Sequence, residues 1–240
     1  MPPKSPASSD LIHRFVELVH RIAQAHGAVV RADDSLQNAS NALISAYSQP
    51  GRHYHSSVHL QRCLDHLDEY RDKYRDEYRD GYQLSQNVTS LDANALDIIE
   101  YALFFHDAIY DPESHANEAN SAKWAAKVLV EQLGEIAPLV DCVHRLIMAT
   151  QFHDIAPDAQ TALLLDIDLS ILSASAGEFD AYDHAIRLEY AFVPDADYQR
   201  GRAQVLQRFL DAEVLYQSAF FSGKTAAAKA NLRRALARLA

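Results

Sequence analysis

Along most of the chain, apolar residues recur at intervals of three and four, the period of a helix that buries one face. Leu11, Phe15, Leu18 and Ile22 trace one such face; Leu36, Leu43 and Tyr47 trace a second, which Gln49, Pro50 and Gly51 bring to an end. A third helix is expected from Ser56 or Ser57, both good caps, through Val58, His59, Leu60, Cys63, Leu64 and Leu67. Beyond it, Tyr70-Arg71-Asp72-Lys73 and the near-repeats beginning at Tyr74 and Tyr78 read as a solvated helical extension ended by Gly81. A polar stretch, 85–90, precedes a nearly all-round apolar run, Leu96, Ile98, Ile99, Leu103, Phe104 and Phe105, which belongs in a core. Further helices are expected over residues 117–133, 136–152, 179–192, 197–221 and 225–239, with Pro157 and Pro194 as punctuation.

No alternating pattern calls for strands and no repeat period emerges, so the expected fold is all-α, one compact multi-helix bundle with helical extensions. Residues 1–10 read as a flexible tail and 11–240 as a single domain, its chemistry concentrated over 50–170 and its C-terminal helices over 177–240. Those last helices are where a homodimer would form.

Charge narrows the partners. Thirty-three acidic residues against 22 basic ones give a net charge of −11, and no long lysine or arginine block supplies counterion release, so polymeric nucleic acid is not expected. A small phosphorylated metabolite or nucleotide remains compatible, because a cleft sets its own local field. Cys63 and Cys142 are too few for a disulfide framework or a cysteine-rich zinc site. With no leader pattern and no run of apolar residues long enough to span a bilayer, a cytoplasmic, non-membrane protein is expected.

Four segments then put metal-ligating or proton-transferring side chains into apolar settings: Arg52 to His59, Phe104 to Asp107, Gln151 to Asp154 and Leu165 to Ser170. Polar groups buried without partners are costly, so each needs a cation, a donor or a capping role. His106 and Asp107 follow a core-like run, and neighbouring helix residues point about 100° apart, so both reach one point only near a helix end or around a shared ion. If the helix reaches back to include both, His55 and His59 lie one turn apart on one face, which allows one to bind metal while the other meets substrate. Asp166 and Asp168 sit among aliphatics, as ligand, orienting group or cap.

The order His, then His-Asp, then Asp within an all-helical chain resembles the signature of the HD superfamily. The Arg52-His53-Tyr54-His55 opening resembles its predicted metal-dependent phosphohydrolases, as do Tyr110-Asp111, Asn117-Glu118, Ile186-Arg187-x-Glu189-Tyr190, Gly201-Arg202 and Asn231-Leu232. The resemblance implies one divalent ion (Mn, Fe, Ni, Co, Zn or Mg) held by His59, His106, Asp107 and Asp168. It is also similar to the Tyr-His-Asn-x-x-x-His segment of helical cyclic-nucleotide phosphodiesterases, which makes His55 the proton donor to the leaving group. Ser56 in place of the asparagine, and Tyr110 in place of a second metal-binding histidine, argue against a cyclic-nucleotide diesterase and for a single tightly held ion.

The implied activity is hydrolysis of a phosphate ester or nucleotide phosphate by metal-activated water, with His55 or Glu118 moving the proton. Arg52, Lys123 and Arg187 are the cationic candidates for substrate phosphate, and His153 serves either phosphate or a further ion. Asp111 and Asp166 are expected to orient ligands or water, although Asp111-Pro112 also reads as a turn and Asp166 as a cap. Two other function classes fit the same residues: a catalytically silent metal- or nucleotide-binding sensor, and a helical adaptor with satisfied core histidines and no metal.

Overall fold

The run Ala93–Phe105 buries side chains around nearly its whole circumference, from Leu96 through Ile98 to Phe105, and so can only occupy the middle of the molecule. Asp92 starts it by accepting a hydrogen bond from the Ala95 amide at 2.7 Å. A computed structural model describes residues 7–79 and 91–239, and among them ten α-helices, two short 3₁₀ turns and no strand. In chain order these are α1 (Ser8–Ala25), α2 (Asp33–Ala46), α3 (Ser57–Arg79), α4 (Ala93–Phe105), α5 (Asn117–Leu133), α6 (Ala137–Ala149), α7 (Ala159–Asp168), α8 (Ala176–Glu189), α9 (Asp195–Asp211) and α10 (Thr225–Leu239), with 3₁₀ turns at Leu169–Ser173 and Ser222–Lys224.

α1, α3, α5, α6 and α7 all pack on α4, while α2 lies against α1 and α5. Phe15 of α1 meets Tyr101, Phe104 and Phe105 at ring-centroid distances of 5.1–5.8 Å, the edge-on and tilted packing that aromatic quadrupoles favour. The second half is organised around the turn after α7. α8 and α10 pack on that turn, and α9 packs on α10. Buried Asn231 of α10 donates to both Leu172 O and Ala174 O at 2.9 Å, satisfying carbonyls that a short 3₁₀ turn leaves open. All of the expected helices are present in outline, and the all-α bundle is the observed fold.

Several boundaries differ from the sequence reading. Ser8, Ser9 and Asp10 belong to α1 rather than to a tail, whose first six residues lie outside the described residues. The third helix carries Tyr70 and Tyr74 into the core rather than into solvent: four-residue spacing stacks their rings at 4.4 Å, and Tyr70 meets Phe220 at 5.4 Å. Its expected end at Gly81 and the polar stretch 85–90 lie outside the described residues. α6 stops at Ala149 and α8 runs three residues early at both ends, because a Ser175–Glu178 capping box starts it. The helix expected over 197–221 ends at Asp211. From there Gln217 N and Ser218 N donate to buried Asp166 at 2.6–3.0 Å, bonds that draw the backbone out of a helical path.

Candidate functional site

Two helix ends and one helix face meet at the centre. His59 and Cys63 sit one turn apart on α3; His106 and Asp107 follow directly where α4 ends; Asp168 closes α7. Termination of α4 at Phe105 is what lets neighbouring His106 and Asp107 turn to one point. His106 donates through Nδ1 to Leu103 O at 2.8 Å, so in the neutral ring Nε2 is the nitrogen that bears the lone pair, and it faces inward.

His59 Nε2 and His106 Nε2 are 3.1 Å apart. Asp107 Oδ2 stands 3.1 Å from His106 Nε2 and 3.5 Å from His59 Nε2, and Asp168 Oδ1 stands 3.2 Å from His59 Nε2 and 3.5 Å from His106 Nε2. Ligands about 2.1 Å from one ion lie about 3.0 Å apart at octahedral angles and about 3.4 Å apart at tetrahedral angles. The observed separations, 3.1–3.5 Å, fall in the same range. His59, Cys63, His106 and Asp168 likewise bring their ligand atoms within 4.8 Å of one another, and this buried group is able to hold a metal ion.

The charge balance follows from this crowding. Burial opposes ionisation of Asp107 and Asp168, yet the imidazoles around them, His106 foremost, hold both carboxyls below their usual range. Burial pulls His59 down, whereas the two carboxylates outweigh it at His106 and raise that imidazole well above its usual value. Burial pushes the Cys63 thiol well up, so it stays neutral; Sγ lies 3.7 Å from His59 Nε2. Sequence reading set Cys63 aside, although its position four residues after His59 was the available signal.

His153 is brought to this centre. Its Nε2 contacts Asp168 Oδ2 at 2.9 Å, which leaves Oδ1 turned to the two histidines, so His153 positions a carboxylate rather than facing a phosphate. The residue adopts φ +50°, in the left-handed region just past α6. His55 sits beside the centre, stacked on Tyr110 with ring centroids 4.2 Å apart. Its Nδ1 is 2.6 Å from Glu189 Oε2, while the amides of His53, Tyr54 and His55 all donate to Glu189 Oε1 at 2.7–2.9 Å. Burial works against a charged His55, but Asp107 and Glu189 outweigh it and raise its pKa. Glu189 was noticed only as part of a sequence pattern; its position relative to His55, 134 residues away in sequence, is tertiary.

The remaining expected residues divide. Arg52 donates to His55 O, Asp107 O and Ala108 O at 3.1, 2.6 and 2.9 Å, and its guanidinium lies between the rings of Tyr47 and Tyr110. It therefore clasps the His-Asp turn. Arg187 donates to Tyr190 O, Val193 O and Asp195, closing the C-terminal end of α8. Lys123 is exposed on α5. Ser121 accepts from Ile109 N at 3.0 Å, docking the start of α5 against the His-Asp turn, and half-buried Glu118 lies three residues earlier on the same stripe. Asp111 forms a turn, accepting from Glu113 N at 2.9 Å, and Asp166 holds the 217–218 backbone and the Ser218 hydroxyl. Neither is joined to the centre by a hydrogen bond among the described residues.

Two cavities adjoin these residues. One of about 630 Å³ passes His59, Tyr54 and Tyr182, and one of about 450 Å³ passes His55 and Tyr182. A cavity of about 810 Å³ elsewhere is lined by the paired charges of Arg14, Arg21, Arg71, Asp68, Asp97 and Glu100 and shares no residue with the centre. No helix among the described residues is long and apolar enough to cross a membrane. Compared with protein-family models, curated proteins and solved structures, the chain matches none, so the residues themselves carry the functional assignment.

Proposed function

We propose that the protein is a metal-dependent phosphohydrolase that cleaves a small phosphate ester or nucleotide phosphate, with His59, His106, Asp107 and Asp168 as the ligand set. The observation that carries this reading is the packing of two imidazole nitrogens and two carboxylate oxygens at 3.1–3.5 Å in a nearly dry site, beside an oriented histidine. Asp107 is preferred to Cys63 as the fourth ligand because it is already ionised, whereas the buried thiol must first lose a proton. A divalent cation there supplies an acidified water and counter-charge for a phosphoryl oxygen. Mixed imidazole and carboxylate ligands suit a borderline first-row ion.

The chain's own groups do the rest. Glu189 fixes the His55 ring and favours its protonated form, so Nε2–H donates to the ester oxygen as the phosphorus–oxygen bond to the leaving group breaks. The proton lost by the attacking water restores the balance once solvent returns it to His55. His153 holds Asp168, and Arg52 holds the backbone that presents Asp107. The resemblance to HD-type phosphohydrolases points the same way.

The test is metal analysis of the purified protein together with turnover on nucleotides and generic phosphoesters, for wild type and Asp107→Ala. Wild type is expected to carry about one divalent ion per chain and to release phosphate, and the variant to lose both. Metal without hydrolysis of any substrate favours the sensor reading. Absence of metal from the wild type defeats the proposal.

A further inference from the structure

The 450 Å³ cavity lies between α8 and α9 and reaches His55. We propose that it is the leaving-group subsite and takes a planar aromatic ring with polar edges, the base of a nucleotide-type ester. The assignment rests on the hydrolase reading for the word leaving; the ring's fit to the cavity does not.

Position is the first argument. Glu189 occupies His55 Nδ1, so Nε2 is the nitrogen left to meet a ligand, and a group protonated by His55 must depart on the side that His55 lines. The walls are the second. Tyr182, Tyr190 and Tyr198 line the cavity, giving π-faces and two-torsion side chains that lose little entropy on stacking a base. Arg202 and Arg187 lie over the Tyr182 and Tyr198 rings at 5.1 and 4.6 Å, so cations edge this aromatic wall.

The edges are the third. Arg202 is only 8% exposed and lines the same cavity. Its Nε donates to Asp183 Oδ1 at 3.0 Å, but its buried Nη2, 2.9 Å from the same oxygen, makes no directional hydrogen bond. A buried donor held in an ion pair without a directed hydrogen bond is open to a ring carbonyl or ring nitrogen. Asp197, also on the lining, is paired with Arg200 through Oδ1, and Oδ2 is its acceptor for an exocyclic amine. Donor and acceptor between aromatic faces is the pattern a nucleobase edge satisfies.

Gly201 is the fourth. It lies inside α9 on the cavity wall, and nothing stands within 4 Å of where its Cβ would be. A glycine there weakens the helix relative to alanine and leaves the wall open.

The experiment measures binding of adenosine, guanosine, cytidine, uridine and ribose by calorimetry to wild type and Gly201→Leu, with turnover of the matching nucleoside monophosphates and ribose 5-phosphate alongside. None of the five unphosphorylated ligands is a substrate for a phosphohydrolase, so the cavity is tested apart from the chemistry. At least one nucleoside is expected to bind tenfold or more tightly than ribose, and Gly201→Leu to weaken it at least tenfold without lowering the unfolding midpoint. Nucleosides that bind no better than ribose, or that bind the variant as well as wild type, overturn the proposal. Nucleoside binding with no phosphoester turned over upholds the cavity and defeats the hydrolase reading; equal KM for nucleotides and ribose 5-phosphate does the reverse.

Discussion

Five donors converge on the Glu189 carboxylate: three backbone amides, His55 Nδ1 and the Tyr110 hydroxyl at 2.9 Å. Burial alone would push its pKa up, but His55 and the amides bring it down to about 2. A carboxyl depressed on folding adds stability that is fully present above its ordinary pKa of 4.5 and is lost as pH falls towards 2. The linkage amounts to about 3 kcal/mol, so the stability advantage of wild type over Glu189→Gln in urea at pH 7 is expected to shrink by that order by pH 2. The same variant should lower the His55 pKa, and because His55 is the proposed acid, the basic limb of the rate profile should move to lower pH. An unmoved limb would show that Glu189 is merely structural.

Asp166 titrates in the opposite sense. Burial raises it to about 6 against the pull of Ser218 and the 217–218 amides, so its contribution is greatest below the ordinary value of 3.8 and is lost as pH rises through 6. A carboxyl carbon resonance titrating near 6 by NMR is the expected signature; a midpoint near 4 would contradict it. His106, Asp107 and Asp168 stood out in the sequence because each interrupts an apolar run with a group that needs a partner, whereas His55 stood out only through the resemblance its opening carries. Glu189 and Asp166 show the limit: a polar residue in a helix announces that it has a partner, and only the fold says which.

At the scale of elements, two glycines give substitutions of opposite sign. Gly134 ends α5 at φ +84°, and the Arg31 guanidinium fills the space its Cβ would need. Gly134→Ala should cost about 1–2 kcal/mol. Gly201→Ala, with open space and helical backbone, should gain about 0.4–1 kcal/mol. Chemical denaturation of both decides, and a stabilising Gly134→Ala would refute the account of the α5 end. Helices with a single apolar face, α1 and α5, were readable from period alone. α7 was not, since its run from Thr161 to Ile167 is wholly buried and carries no face, although Asp158, accepting from Thr161 N at 2.8 Å, is a sequence-visible cap. The segment after Asp211 has helical periodicity in its apolar residues, and Leu215, Tyr216 and Phe221 are indeed buried, but a carboxylate on another helix claims its amides.

The molecule as a whole is held in register by a charge hub that shares no residue with the candidate metal centre. Glu100 is fully buried on α4, and Arg14 and Arg21 of α1 and Arg71 of α3 reach it at 2.5, 2.9 and 2.8 Å. Asp68 and Asp97 share the same arginines at 2.7–3.1 Å, so the cluster is three cations against three anions. α3 also carries His59 and α4 leads into His106, so the hub fixes the relative placement of two proposed ligands whose nitrogens must stay 3.1 Å apart. Removing one member of a buried network leaves the others uncompensated at a cost of about 3–5 kcal/mol, whereas an exposed partner is worth about 1 kcal/mol or less. Glu100→Gln should therefore lower the melting temperature by roughly 10 °C and weaken metal binding, while Asp68→Asn, at a carboxylate 45% exposed, should change either only slightly. If Glu100→Gln proves as mild as Asp68→Asn, the hub is ornamental and the register of α3 on α4 comes from apolar packing of Leu60, Leu64 and Leu67 alone.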